Sequence, residues 1–410
     1  MQWNFFVEKT FARSWFGSVG YSASHSADLM NRSRPIVNFQ SLPQSTLDAW
    51  RAQYITSNGT TNPANVQVTN PFQPSSGPLL PFAGNLGNKT IAQAWTLYQY
   101  PLLTPAGISS SVATADYHSM QVRISHAFSR GFLLDAHYTW SKELDNTDNM
   151  EDNQGFNSGG TAGNLDILSW KNNRKIGFSD IPHRMVASFV YDLPFGPGKA
   201  VDIQNSVVRA IVGKWQTGGS FVAQQGMPFA ISGAADGASY GHPDRVASAP
   251  LEVPKDLQRW YDGATTVTLP NGRKIVPTKN TFLKYYTGAF SGRVISTPNG
   301  AVVPDVYWWG TVGSTLNAMR NRGRVNIDLS LRRTFKIRER FSIELAADAT
   351  NLWNNTQLNG SFAGGLGSTN TATNAAKGLT PGMGATDTYG TIGVGSFDAR
   401  QVVMNLRLRF

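Results

Sequence analysis

Apolar and polar side chains change places at every residue through a series of short runs. This period of two marks strands whose two faces meet different surroundings. It is clearest at the end of the chain, where Val402, Met404, Leu406, Leu408 and Phe410 share one parity. Gln401, Asn405, Arg407 and Arg409 share the other, with Val403 the apolar exception. The same rhythm pairs runs into hairpins. Residues 2–9 and 14–22 alternate around a turn near Phe11-Ala12-Arg13. Met120, Val122 and Ile124 lead through Ser129-Arg130-Gly131 to Phe132, Leu134, Ala136, Tyr138 and Trp140. Residues 183–192 and 214–224 form a third pair, with a short helical turn expected near 205–212. Val325, Ile327, Leu329 and Leu331 lead through Ile337-Arg338-Glu339-Arg340 to Phe341, Ile343, Leu345 and Ala347.

Between the hairpins lie long polar insertions: roughly 25–116, 142–182, 226–322 and 351–399, rich in Asn, Gly, Ser, Thr and Pro. The first has no long periodic run and is expected to be irregular. In the third, Thr281-Phe282-Leu283 and Tyr307-Trp308-Trp309 are placed either as extensions of the sheet or as packing inside the loop. The connections read short, long, short, long, shortish, long, short, long. Strict alternation of tight turns and long loops is the pattern of an outer-membrane β-barrel, with the turns on the periplasmic side and the loops outside the cell. A soluble sandwich, which also yields half-buried strands, rarely keeps such alternation. Tyr138 and Trp140 then sit where an interfacial aromatic girdle belongs. The fold class expected is all-β, a transmembrane antiparallel barrel with long extracellular loops.

Composition sharpens this. Charged residues are 15% of the 410, too few for an ordinary soluble surface. A mean hydropathy of −0.27 is too polar for a helical membrane protein. No run of 18 apolar residues is present, so no transmembrane helix is expected. The net charge of +10 is spread along the chain without a polybasic block. It suits a solvated lumen or a lipopolysaccharide-facing rim rather than nucleic acid. With no Cys, a disulfide scaffold or thiolate metal site is excluded. Nine strong strands is odd where bacterial barrels close with even counts. Met1-Gln2-Trp3-Asn4-Phe5-Phe6 also lacks the features of a secretory leader. Both lead to the expectation that the chain is the C-terminal portion of something longer.

A set of short motifs, in order, carries a family resemblance. Tyr117-His118-Ser119-Met120-Gln121-Val122-Arg123 is followed by Gly131-Phe132 and Tyr138-Thr139-Trp140-Ser141-Lys142. Asp180-Ile181-Pro182-His183-Arg184, Leu193-Pro194-Phe195-Gly196, Gly213-Lys214-Trp215-Gln216 and Gly226-Met227-Pro228-Phe229 come next. Arg320-Asn321-Arg322-Gly323 and Ala349-Thr350-Asn351-Leu352-Trp353-Asn354 complete it. The chain resembles the barrel of TonB-dependent transporters of the Oar-like, acidobacterial type over nearly its whole length. That resemblance implies a 22-stranded barrel, of which residues 1–410 would supply about 9–10 strands. It further implies a plug and an amino-terminal carboxypeptidase-regulatory-like domain, neither contained here. Implied partners are membrane lipid and lipopolysaccharide, a TonB complex acting through the plug, and the barrel-assembly machinery, with Phe410 as its recognition signal. Uptake of a bulky nutrient follows as the implied function, a surface adhesion or structural barrel being the alternative.

Candidate chemistry is sparse, and neither an enzyme nor a cofactor is expected. Asp145, Asp148, Glu151 and Asp152 offer calcium-type oxygen ligands, but Met150 breaks the EF-hand spacing and a solvated loop is the simpler expectation. His25, His118, His126, His137, His183 and His242 show no ligand-like spacing; His183 is expected to pack at the start of a strand. Gly237-Ala238-Ser239-Tyr240-Gly241 matches the G-x-S-x-G string without the strand-to-helix context that a nucleophile elbow needs. The polar parity carries Arg123, Arg332, Arg407 and Arg409 with Asp135, Asp328, Glu344 and Asp348, expected to face a lumen. There they would form a polar path or contacts to a plug, or else inter-strand charge pairs.

Overall fold

In the computed structural model the described residues are 1–12, 14–33, 42–82, 84–98, 101, 108–147, 174–228, 244–245, 250–261, 265–268, 274–275, 281–283, 290–291, 294–307, 316, 318–320, 323–338, 341–355, 391–392 and 399–410. Nine long strands run through them: β1 (Gln2–Phe11), β2 (Trp15–Ser33), β3 (Ile108–Ser129), β4 (Phe132–Asp145), β5 (His183–Asp192), β6 (Gln216–Gln224), β7 (Arg324–Arg338), β8 (Phe341–Thr350) and β9 (Gln401–Arg409). Each pairs antiparallel with its sequence neighbour, and the short strand Lys175–Ile176 joins β4 to make a 10-stranded sheet. Among the described residues no strand lies beyond β1 or β9, so the sheet has two free edges.

Every expected run is a strand, because alternation and turn chemistry are local properties. Arg130 and Gly131 take φ of 52° and 79°, the positive values that a two-residue hairpin turn requires. The helical turn is α2 (Ser206–Val212), in the connection from β5 to β6. On β6, Gly219 lies across from Phe189, and an added Cβ would stand 2.7 Å from the Asp328 carbonyl and 3.0 Å from the Phe189 ring. The ring covers the gap that the glycine leaves.

The first insertion departs from expectation at both ends. β2 continues to Ser33 and β3 begins at Ile108, paired throughout, with bulges between Ser26 and Met30 where Asp28 takes φ 55°. These extensions carry no alternating apolar row, so the period of two was silent there. Nor is the insertion irregular. It contains α1 (Gln44–Thr56), on which Leu47, Trp50 and Tyr54 repeat at helical spacing and are buried. They join Leu42, Ala64, Ala94, Val306 and Tyr307 in one cluster, with Tyr98, Ile295 and Val303 packed against it. This hydrophobic core lies in two insertions far apart in sequence, outside the sheet. Of the two aromatic groups in the third insertion, Phe282 pairs with Trp260 and Ile392 in a small separate sheet rather than in the long one. Tyr307 is part of the core, and Trp308 and Trp309 lie outside the described residues.

Candidate functional site

The register assigns the two faces of the sheet. Val7, Val19, Val122 and Tyr138 follow one another across β1 to β4 on one face. Glu8, Ser18, Arg123 and His137 do so on the other. Both faces of the sheet are open, the polar one with Arg123 and Arg409 exposed, but the apolar row is left exposed too: Val19 is 52% exposed and Leu406 65%. A water-soluble protein buries such a row.

Aromatic rings flank the aliphatic residues of that face in two rows. Toward the tight turns, Phe11 stacks on Trp15, Trp15 meets His126 at 4.6 Å, His126 meets Phe132 at 5.4 Å, and Phe132 meets Tyr191 edge-on. Toward the long connections, Trp3, Tyr21, Tyr138, His118 and His183 form the second row. Here the histidines serve the tyrosines. The Tyr21 hydroxyl lies 2.6 Å from His118 Nδ1, and the Tyr138 hydroxyl 2.8 Å from His183 Nδ1. On β4 the rows are six to eight residues apart, or about 20–26 Å along the strand at 3.3 Å per residue.

All eight polar residues singled out in the sequence share the opposite face, because the register links them strand by strand. They gather in two patches. Arg123 Nε donates to Asp135 Oδ1 at 2.9 Å and its Nη2 to Oδ2 at 3.2 Å, with His137 Nε2 3.2 Å from Asp135. On β7 to β9, Arg409 Nη2 donates to Glu344 at 2.8 Å, and Arg332 stands 3.9 Å from Asp348. Arg407 faces Glu344 in register. Asp328 accepts from Ser220 Oγ, Asn326 Nδ2 and the Asn351 amide. Between the patches, β5 and β6 contribute Val186, Ser188, Ser220 and Val222.

The model of the outer membrane beta barrel domain family matches residues 1–402. The chain belongs to the outer membrane beta barrel domain family. Its location is therefore the outer membrane, and no helix among the described residues is long and apolar enough to cross a membrane. In such a barrel the exposed apolar face, edged by aromatic girdles, is the one that meets lipid. In sequence comparison no curated protein matches the chain. In structure it is similar to the outer membrane transporter YddB from Escherichia coli at 10% identity and a TM-score of 0.34. The likeness covers 100% of this chain and 32% of that one.

The barrel strands are tied together at their long-connection ends, and sequence reasoning missed how. Arg320 Nη1 donates to the carbonyl of Asp180 at 2.8 Å and that of Gly226 at 3.3 Å, while Nη2 donates to the Asp180 carboxylate. Asp180 Oδ1 in turn accepts from the Glu143 amide at 2.6 Å. Both charged side chains are almost wholly buried. Three of the short motifs thus converge on one ion pair, which locks the roots of the second and third insertions against β4. The visible signal was only that each motif sits beside a Pro or Gly at a strand end. Next to this lock, Asp145, the one residue of the acidic group within the described residues, is buried rather than solvated and is bonded to Lys175, with Thr147 capping it. Asp148, Glu151, Asp152, Ser239 and His242 lie outside the described residues. Phe410 follows β9 and is 98% exposed.

Outside the sheet, the two insertions that share the hydrophobic core are clasped by polar bonds. Arg51 holds Asp305 in a two-pronged ion pair, Nη2 to Oδ2 at 2.8 Å and Nε to Oδ1 at 3.1 Å. Tyr307 donates its hydroxyl to Asn62, and its ring meets Tyr54 edge-on. Burial pushes the Tyr307 phenol up to about 12. Hydrogen bonding to Asp305 raises the Arg51 guanidinium further above its ordinary value. The helical spacing of Leu47, Trp50 and Tyr54 was the one signal from which half of this clasp was readable.

Proposed function

We propose that this chain is part of the barrel wall of a TonB-dependent outer-membrane transporter of the Oar-like type. Its cargo would be a bulky nutrient of the siderophore, oligosaccharide or peptide class. The tight turns face the periplasm and the long connections face outward. The polar face, with Arg123, Asp135, Asp328, Arg332, Glu344, Asp348, Arg407 and Arg409, lines the lumen. A plug supplied outside residues 1–410 fills that lumen and moves when the inner-membrane TonB complex pulls it. The long loops capture the ligand before that movement. No covalent step and no cofactor are assigned. The observation that carries this reading is the clasp. A barrel that served only as a wall would need no folded domain in its loops, yet two insertions are bonded into one by Arg51 and Asp305, which are 254 residues apart in sequence.

The test is uptake by cells carrying the protein with TonB present or removed, using labelled siderophores, oligosaccharides and peptides. Uptake of one class that disappears without TonB is expected. Uptake that persists without TonB would make the barrel a passive pore. No uptake, together with loss of cell–cell or surface attachment when the protein is deleted, would establish an adhesion barrel instead.

A further inference from the structure

α2 is a seven-residue helix whose apolar side chains are left exposed among the described residues. Val207 is 66% exposed, Val208 45% and Ile211 63%, and no residue of the helix is buried. Val207, Val208 and Ile211 stand at helical neighbour spacings and form one apolar face. A helix this short is marginal in water on its own, yet both its ends are secured. Asn205 Oδ1 accepts from the amides of Val207 and Val208 at 3.0 and 3.1 Å. At the other end Trp215 Nε1 donates to the Ile211 carbonyl at 2.9 Å, and Arg333 donates to the carbonyls of Ala210 and Ile211.

Arg333 is the informative residue. On β7 it has the parity of Val325, Ile327, Leu329 and Leu331, so a cation stands in the apolar row. Its guanidinium lies 4.1 Å from the Phe335 ring centroid and 5.9 Å from that of Trp215, and the residue is only 7% exposed. A cation facing lipid is costly unless backbone carbonyls or a bundle of neighbours take it up. Here it is taken up by the carbonyl end of α2, where the helix dipole also favours positive charge. The clamp fixes the helix against the tight-turn edge of the lipid-facing surface, in line with Tyr191, Trp215 and Phe335. The apolar face of α2 is therefore continuous with a surface that already meets the bilayer. Arg209 and Lys214 flank it, with Lys214 at φ 63° turning the chain back into β6.

We propose that α2 is a membrane-interface foot. Val207, Val208 and Ile211 sit at the boundary between acyl chains and headgroups at the tight-turn rim. Arg209 and Lys214 lie beside lipid phosphates, and Arg333 is the positioning residue that holds the helix there. The occupant is phospholipid rather than a second protein, because the apolar face extends the lipid-facing wall and its flanking charges match phosphate.

The chain has no cysteine, so single thiols report position directly. Val207→Cys, Val208→Cys and Ile211→Cys would each carry an environment-sensitive dye. The protein, with any cysteine outside residues 1–410 replaced, would be inserted into phosphatidylethanolamine/phosphatidylglycerol vesicles and checked by heat-modifiable gel migration. Val201→Cys, exposed in the same connection but outside the helix, is the reference. The three helix positions should show blue-shifted emission, quenching by lipids with a shallow nitroxide and no quenching by iodide; Val201→Cys should show the reverse. Iodide reaching all four alike would overturn the proposal. So would shielding that appears in native membranes but not in vesicles, which would make a protein the occupant. Arg333→Met should lose the lipid signal while migration stays that of the folded barrel. An unchanged signal would overturn its role as the clamp.

Discussion

Leu329 and Ser330 are neighbours on β7 whose side chains leave the sheet on opposite faces, and the register makes their surroundings explicit. Leu329 lies between Gly219 and Ala349 on the lipid face, whereas Ser330 lies between Gly218 and Asp348 on the polar one. A cation on the lipid face of a barrel costs about 2–4 kcal/mol at mid-depth and far less toward the edges. Leu329→Arg should therefore cut the folded fraction sharply, while Ser330→Arg, with Asp348 beside it, should leave it nearly unchanged. Unfolding by urea in vesicles, read on a heat-modifiable gel, checks this, and equal effects would reverse the facing. Arg333 is the instructive exception, a cation on the lipid parity that survives because α2 lends it two carbonyls. At this scale nearly all of the facing was legible, since a side chain's face depends only on its parity. The partners of the histidines were not. His25 is bonded to Asp116 and His118 to Tyr21, each more than ninety residues away.

Among the elements, the clasp between α1 and residues 294–307 has a stability of its own. Leu47, Trp50 and Tyr54 each contribute roughly 1.5–3 kcal/mol by burial, offset by the cost of ordering two long insertions. Arg51→Ala would leave the Asp305 side chain, 1% exposed, without its guanidinium partner. Because Arg51 itself is 37% exposed, water can enter and the loss should be about 1–3 kcal/mol rather than the full cost for a buried pair. The expected result is faster proteolysis within 44–98 and 294–307 while barrel migration is unchanged. The clasp should also have an alkaline limit. The folded phenol of Tyr307 keeps its proton up to about 12, whereas the unfolded one loses it near 10.0. The unfolded insertion therefore binds fewer protons in that window. The stability is fully present below about pH 10 and is lost as pH rises toward 12. Burial raises the Tyr98 phenol, packed against the same core, to about 12 as well. Proteolysis as a function of pH measures the loss, and Tyr307→Phe together with Tyr98→Phe should flatten the profile, each alone removing only part of the dependence.

At the scale of the whole molecule, the ion pair of Arg320 and Asp180 joins β4, the approach to β5, the exit from β6 and the approach to β7. Arg320→Ala should cost about 3–5 kcal/mol, because it strands a buried carboxylate. The double substitution Arg320→Leu with Asp180→Leu should recover part of that loss, since apolar replacement of a buried pair is often near neutral. Urea unfolding of the two variants side by side tests this, and equal losses would show that Arg320 acts only through the Asp180 and Gly226 carbonyls.

The order of the strands, their antiparallel pairing, the faces they present and the alternation of tight turns with long connections were determined by the sequence alone. Each follows from residue parity or from the turn chemistry of two or three adjacent residues. Only the tertiary structure decided how the insertions fold on one another, where α2 is clamped and which charges meet at the strand ends. Those contacts join groups up to 254 residues apart. A carboxylate such as Asp145, read in isolation, suits calcium, water or a lysine equally well. Only the fold brings Lys175 to it, across 30 residues of sequence.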